Sequence, residues 1–497
     1  MVAQVNGRSL VDALGGGRVV VAGAGVAGTG VARMLAALDA TVTVVDDNAE
    51  AGGRLAGETG ASLVTTEQAC ATSFLAAVDL VVTSPGWRPD SPVLVAAADA
   101  GIPVIGDIEA AWLADQAGLF GAPRTWLAVT GTNGKTTTTA MLESILTADG
   151  RRTLAVGNIG TPPGEALLAE PPVDVLAAEV SSFQLHWAPD FAPDAGCVLN
   201  LAEDHLDWHG SFDNYAADKM RVLTGPVAVL AADDPEVTSR ATGCQWAYTT
   251  GDPADIVGTD AAGLSDLLRV TGVRDGRLID LDAVSGSAID LGSAEGISPP
   301  GPAGVADAAA AAALARSVGV APESVAAALA TFTVQAHRGQ TVAESGQVRW
   351  IDNSKATNPH AALAALQGLD GVVWVAGGQL KGAEVDELVV AVAPTLRAAV
   401  LLGVDRGIIA DALAAAAPGL PVTVIDSVDP EEAMRLAVDA ARGYADPGDA
   451  VVLAPAAASL DMYRGMSQRG DLFAAAACSE DREYSEDSED TEGGDDQ

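Results

Sequence analysis

An α/β protein of three domains, each built on a mostly parallel sheet, is what this sequence of 497 residues predicts. Three observations predict it. Short β-branched runs alternate with alanine-rich helical stretches through most of the chain, the pattern of parallel strands covered by helices. Glycine-rich turns stand where a strand passes into a helix, first in "VVVAGAGVAGTG" and again in "LAVTGTNGKTT". Hydrophobic residues make up 49% and glycine 54 positions, which suits several packed cores rather than a disordered chain.

Composition narrows the function. No apolar run has the length to span a membrane, and the N-terminus lacks a basic segment followed by an apolar block, so a cytoplasmic location is expected. The four cysteines are far apart and carry no metal or redox spacing. The net charge of −40 argues against nucleic acid as a partner. The segment 479–497 contributes −9 of it and reads as a disordered acidic tail. An anionic substrate must therefore be met by locally gathered cations, backbone N–H groups and metal.

The first block opens at "RVVVAGAGVAGTGVARMLAALDATVTVVDD", a strand, a glycine turn, a helix and a second strand running up to Asp46 and Asp47, and it continues to about residue 107. Gly23, Gly25 and Gly28, with acids about 20 residues on, favour a nucleotide site without naming the nucleotide.

The second block begins at "TWLAVTGTNGKTTTTAMLESILTADG". Gly131, Thr132, Asn133, Gly134, Lys135, Thr136 and Thr137 form a loop suited to cradle phosphate at a helix N-terminus, with a threonine hydroxyl for Mg²⁺. The spacing is not that of the standard P-loop, because Val129 stands where its first glycine belongs. Glu179 ends "VDVLAAE" and His205 follows "GCVLNLAED", both plausible Mg²⁺ or Mn²⁺ ligands beside such a loop, although each taken singly is more often a cap or a satisfied polar residue. Residues 250–298 read as short antiparallel strands, and an alanine-rich helix near 305–317 closes the block.

The third block starts near 335, with strands at "VRWID", "VVWVAGG", "AAVLLG", "PVTVID" and "AVVLAPA". Polar loops follow three of them: "DNSKATN", "GGQLKG" and "PAAASLDMYRGMSQRGDLF". Of 27 basic residues only Lys135, Lys219, Lys355 and Lys381 are lysines, and each lies in a loop or helix next to a strand end. Lysine differs from arginine in one respect: its amine can be neutralised by its surroundings and then react.

In order along residues 15–475, "GTNGKTT", "NIG", "EVSSFQL", "NLAEDHLDWHG", "YAADKMRV", "HR", "SKATN" and "ASLDMY…RG" closely resemble the Mur ligases, which add amino acids to the peptidoglycan precursor. "SKATN" and "ASLDMY" resemble the branch that adds D-glutamate. The resemblance implies a Rossmann-like UDP-precursor domain at 1–107, a central ATPase domain of P-loop type at 108–334, and a Rossmann-like amino-acid-binding domain at 335–478. It implies ATP as co-substrate, two Mg²⁺ ions (Mn²⁺ also possible), UDP-N-acetylmuramoyl-L-alanine and D-glutamate as substrates, and a monomer.

Carried over position by position, the 131–137 loop with Arg338, Asn353 and Asp307 meets ATP, and Asp307 stands where relatives have an asparagine at the adenine end. Thr136 and Glu179 are implied for one metal ion and His205 for the other, with Lys219 converted by CO₂ to a carbamate ligand. Arg338 is implied to clamp phosphate and Lys355 to support the transferred group or the nucleophile site. Val26, Ala27, Asp46, Asp47, Gly86, Asn158, Phe183 and Gln184 fall at the UDP-sugar. Thr357, Lys381, Ser459, Leu460 and Met466 fall at D-glutamate, Met466 in place of an aromatic. The rival readings are a ligase for another amino acid or for folate, an NAD-dependent oxidoreductase built on "GAGVAG", and a nucleotide-binding relative without activity.

Overall fold

A computed structural model of the chain describes residues 4–5, 8–259 and 262–479. The expected tail, apart from Ser479, lies outside the described residues. The chain forms two compact units, one of residues 1–295 with 306–332, the other of residues 296–305 with 333–497. Each of the three expected blocks carries one main sheet, the first also a two-stranded antiparallel one of residues 4–5 and 8–9, and the first two blocks share a unit.

The first sheet is wholly parallel. Its strands are β1 (Arg18–Ala22), β2 (Thr41–Val45), β3 (Ser62–Val64), β4 (Leu80–Thr83) and β5 (Val104–Gly106), in spatial order β3-β2-β1-β4-β5. Helix α1 (Val26–Ala37) follows β1 and α2 (Ala49–Thr59) follows β2. The order reverses direction beside β1, so a crevice opens past the carboxyl ends of β1 and β4. Helix α3 (Asp107–Gln116) leads onward from β5.

The second sheet contains β6 (Thr125–Thr130), β7 (Thr153–Gly157), β8 (Val175–Glu179), β9 (Ala195–Val198), β10 (Val227–Ala231), β11 (Trp246–Tyr248), β12 (Arg269–Arg274), β13 (Arg277–Asp282) and β14 (Ala288–Ser293). Its order is β14-β13-β12-β11-β10-β9-β6-β8-β7, and only the β12–β13 and β13–β14 pairs are antiparallel. The helices that matter below are α4 (Lys135–Ala148), α5 (Ser182–His186), α6 (Leu206–His209), α7 (Phe212–Met220) and α8 (Pro302–Ser317). As the alternation in 250–298 led one to expect, that stretch supplies the antiparallel edge. One apolar core runs beneath both sheets, joining Met34, Leu35 and Ile108 to Trp126 and Phe191.

The third sheet adds β15 (Gln340–Ser345), β16 (Val348–Asp352), β17 (Val372–Gly377), β18 (Leu396–Leu402), β19 (Val422–Val424) and β20 (Ala450–Leu453), in order β15-β16-β20-β17-β18-β19. All five expected strands form, and β15, which the sequence reading passed over, pairs antiparallel with β16. Its residues are half exposed and lack a clean period of two, which hid it.

Helix α3 binds the first two sheets through buried charge. Asp115 accepts from Arg124 Nη1 at 2.7 Å and from Trp126 Nε1 at 2.8 Å, so the ion pair is also hydrogen-bonded. Glu109 on the same helix is fully buried; its Oε2 accepts from the Asp190 N–H at 3.2 Å, while Oε1 has no hydrogen-bond partner. Burial pushes its pKa up from 4.5 to about 8. The native state therefore keeps this proton after the unfolded chain has lost it, and the associated stability falls as pH rises through that window. Glu109→Gln should flatten the decline in stability between about pH 4.5 and 8, read from urea midpoints across that range.

Candidate active site

Three strand ends converge in the second sheet. β6 runs into Gly131–Gly134, and the backbone turns sharply there: φ is 153° at Gly131 and 83° at Gly134. Helix α4 then begins at Lys135 with no side chain capping its N-terminus, which leaves the positive end of the helix facing the loop. Asn200 anchors the loop, accepting from Asn133 N at 2.8 Å and donating to Asn133 O at 3.2 Å. Tyr215 on α7 meets the Thr132 hydroxyl at 2.9 Å. Sequence reasoning missed both residues, although each lies inside a quoted motif.

The lysines answer the compositional clue. Lys135 Nζ donates to Gly131 O and Thr132 O, both at 2.8 Å. Lys219, on α7, is buried at 2% exposure, and its Nζ donates to the same Gly131 oxygen at 2.7 Å. Two amines thus converge on one carbonyl. Burial first, and then the charge of Lys135, hold Lys219 far below the ordinary lysine value of 10.5. The surroundings favour a neutral, nucleophilic amine.

Glu179 closes β8 beside them, buried at 1% exposure. Its Oε2 accepts from the Thr136 hydroxyl at 2.7 Å and its Oε1 from Asn158 Nδ2 at 2.8 Å. A hydroxyl and a carboxylate so placed after a phosphate loop form a hard-oxygen pair of the kind Mg²⁺ takes. His205 sits at φ 53°, its ring 4.8 Å from that of Phe183 and half exposed. Partial burial lowers its pKa, against the pull of Asp204, so the imidazole is biased to the neutral form a metal requires.

Asp307, near the start of α8, lies against this loop. It accepts from the Thr138 hydroxyl at 3.0 Å, and a Cβ on Gly134 would collide with its carboxylate. Asp307 thus ties α8 to the helix that follows the 131–134 loop.

The crevice of the first sheet gathers the other candidates. Gly23 adopts φ 99°, and a Cβ on Gly28 would strike the Gly23 carbonyl, so the turn is closely packed. Helix α1 starts without a side-chain cap, and Val26 at its head is 75% exposed. Ala27 follows it in the first turn, and Gly86 is exposed beyond β4. Asp46 accepts from Ala24 N at 2.7 Å, holding the glycine turn, and Asp47 is tied to Thr66 N and its hydroxyl. Gln184 is elsewhere. It is 1% exposed, its Oε1 accepts from Ser181 N and its Nε2 donates to Asp107, so its amide is already spent inside the protein.

The second unit places its candidates at the ends of β16, β17 and β20. His337 pairs with Asp352 at 2.6 Å, and the Lys355 N–H donates to the His337 carbonyl at 3.1 Å. That brings Arg338, Asn353 and Lys355 onto one bend. Thr357 is half-buried two residues on. Lys381 is exposed at φ 55° after β17; Ser459 is buried after β20, and Leu460 is 67% exposed. Met466 opens the helix α9 (Met466–Ala477), and its carbonyl accepts from Ser354 Oγ at 2.7 Å.

Arg469 underlies them all and was not foreseen. It is 1% exposed and donates to Ser354 Oγ at 3.0 Å, Ser354 O at 2.9 Å, Ala457 O at 3.2 Å and Gly377 O at 3.3 Å. Burial pushes its pKa down to about 10, which leaves it charged at neutral pH. One guanidinium fork thus binds the three loops that follow β16, β17 and β20.

Family models match in the same order as the sheets. MurD-like N-terminal domain matches 17–106, Mur ligase middle domain 129–274, and Mur ligase glutamate ligase domain 337–457. A protein of Corynebacterium jeikeium named UDP-N-acetylmuramoylalanine--D-glutamate ligase is 61% identical over 92% of this chain and 93% of its own. The chain belongs to the Mur ligase family. A Mur ligase of the same name from Mycolicibacterium smegmatis is 49% identical over 93% of this chain and 96% of its own. Among solved structures, the MurF ligase of Thermotoga maritima in complex with ADP superposes at TM-score 0.53 with 17% identity, covering 89% of this chain and 96% of its own. UDP-N-acetylmuramate-alanine ligase MurC of the same organism gives 0.52 with 17% identity, covering 94% and 99%. These two likenesses speak for the fold alone. Among the described residues no helix is long and apolar enough to cross a membrane.

Gly134→Ala places a side chain at φ 83° and against Asp307. Such a left-handed position costs a non-glycine residue about 1–2 kcal/mol before any clash is counted. The variant should lose ATP binding in calorimetry while still binding UDP.

Proposed function

We propose that this Mur ligase uses ATP to join D-glutamate to UDP-N-acetylmuramoyl-L-alanine. The alanyl carboxylate takes the γ-phosphoryl group of ATP, giving an acyl phosphate and ADP. The amine of D-glutamate then attacks the acyl carbon, and the tetrahedral intermediate expels phosphate as the amide forms. The observation that carries the reading is the meeting of Lys135 and Lys219 on the Gly131 carbonyl, one turn from the Thr136–Glu179 pair.

Each residue then has a task that its surroundings support. The amides at the head of α4 and Lys135 receive the ATP phosphates, where charge spreads over oxygens during transfer. Thr136 and Glu179 would hold one Mg²⁺, and His205 with Lys219 a second. As an ammonium Lys219 would offer a metal nothing; as a carbamate it would offer anionic oxygen, and its buried, charge-crowded position favours the neutral form that reacts with CO₂. When bound, Mg²⁺ would neutralise the charge that develops on the phosphoryl oxygens. In the second unit Arg338 would clamp phosphate, Lys355 would support the transferred group, and Thr357, Lys381, Ser459, Leu460 and Met466 would hold D-glutamate. The UDP end would lie on the α1 head beside Val26, Ala27 and Gly86. The division into three domains near residues 107 and 334 belongs to the same reading, as do a cytoplasmic location and a monomeric state.

ADP release from ATP and Mg²⁺ with UDP-N-acetylmuramoyl-L-alanine should require D-glutamate and ignore L-glutamate and other amino acids. Release with a different amino acid would keep the ligase and overturn the assignment of the third sheet's loops. Lys219→Ala should abolish turnover, leave UDP binding near wild type and regain part of its rate with added acetate or formate. Full activity in that variant would sink the carbamate.

A further inference from the structure

Behind the groups assigned to the phosphates and metal, one carboxylate joins the elements that carry them. Asp218 precedes Lys219 on α7, and neighbouring helical residues point about 100° apart. Lys219 reaches the Gly131 carbonyl, while Asp218 turns to α5 and α6. Its Oδ2 receives His186 Nδ1 at 2.9 Å and His209 Nδ1 at 3.0 Å, and Arg221 lies 3.2 Å from Oδ1. The far nitrogen of His209, Nε2, meets the Ser182 hydroxyl at 3.0 Å. Because an ionised carboxylate only accepts, both Nδ1 atoms carry hydrogen toward Asp218.

The chain Ser182–His209–Asp218–His186 has a clear topological effect. Ser182 and His186 bound α5, three residues beyond Glu179; His209 ends α6, which begins directly after His205; Asp218 sits beside Lys219. Three of its members are buried, Ser182 at 3%, His209 at 7% and Asp218 at 5% exposure, while His186 is half-buried. Arg221 adds bonds from Nη1 to Leu185 O at 2.9 Å and His186 O at 2.8 Å, fixing the end of α5 to the end of α7. A helix of nine residues such as α7 is too short to hold its own orientation, so what it packs against sets where Lys219 points.

We propose that Asp218, acting through His209 and His186, is the positioning residue that sets Lys219 toward the phosphate loop. Asp218, buried beneath the site, fixes the rotation of α7 against the elements bearing Glu179 and His205. The inference rests on the reading of Lys219 as the carbamylated lysine.

Its test reads the carbamate directly. The full chain is equilibrated with ¹³C-bicarbonate, and the carbamate carbon is followed by NMR in wild type, Asp218→Asn and His209→Phe, with UDP binding measured alongside. The wild type is expected to show the signal. Both variants should lose most of it and bind UDP normally. In both, kcat should fall about 10- to 100-fold, the usual loss for a group supporting a metal ligand. KM for all three substrates should stay within about twofold, because the defect is in the reacting geometry rather than in uniform binding. A carbamate signal and kcat at wild-type level in both variants would overturn the role of Asp218, whatever their melting temperatures. Loss of UDP binding together with the carbamate in both would overturn it as well, since the network would then hold up the fold and not the lysine. A wild type without any carbamate signal would instead overturn the reading of Lys219 itself, and this inference with it.

Discussion

Two amines sharing one carbonyl oxygen is the constraint around which the first unit is arranged. Lys135 and Lys219 both donate to Gly131 O, at 2.8 and 2.7 Å, in a site that admits almost no water to Lys219. Like charges that share one acceptor repel in a poorly solvated pocket, and Lys135 accordingly lowers the pKa of Lys219. The repulsion is relieved if anions arrive or if one amine gives up its charge. Lys135 lies at the open mouth of a helix N-terminus, suited to phosphate. Lys219 is enclosed, so loss of charge is its natural course.

The same pairing accounts for the tension between substrate and surface. The chain carries a net charge of −40, yet its proposed substrates are polyanions. Attraction cannot come from the overall field. In the proposed reaction it comes from short-range groups: the uncapped heads of α1 and α4, Lys135, and the Mg²⁺ that Thr136 and Glu179 would hold. Rigidity matters as much as charge here. Asn200 and Tyr215 brace the 131–134 loop, and the buried Asp115–Arg124 pair fixes α3 between the two sheets of the unit.

The second unit solves a related problem with one residue. In the proposed reaction loops after three different strands would converge on a small amino acid, and loops drift unless something holds them. Arg469 donates to Ser354, Gly377 and Ala457, one residue group from each loop. A planar fork with fixed donor directions suits that task better than a flexible ammonium. Among the described residues its hydrogen bonds run to carbonyl and hydroxyl oxygens of these loops.

The sequence by itself determined the strands, the glycine turns after them, and the lysines gathered near strand ends, because each is a local matter of period, turn chemistry and residue type. It also determined the family, through motifs whose order survives along the chain. Only the tertiary structure decided which side chains meet. Gln184 lies in a motif yet is consumed by Ser181 and Asp107, whereas Asp218 and Arg469, ordinary charges on helices by local reading, are buried and central. Asp307 likewise is brought to Thr138 across 169 residues of chain. No local pattern records such a meeting. Burial and hydrogen-bond partners are properties of where helices pack, and that is settled by the whole fold at once.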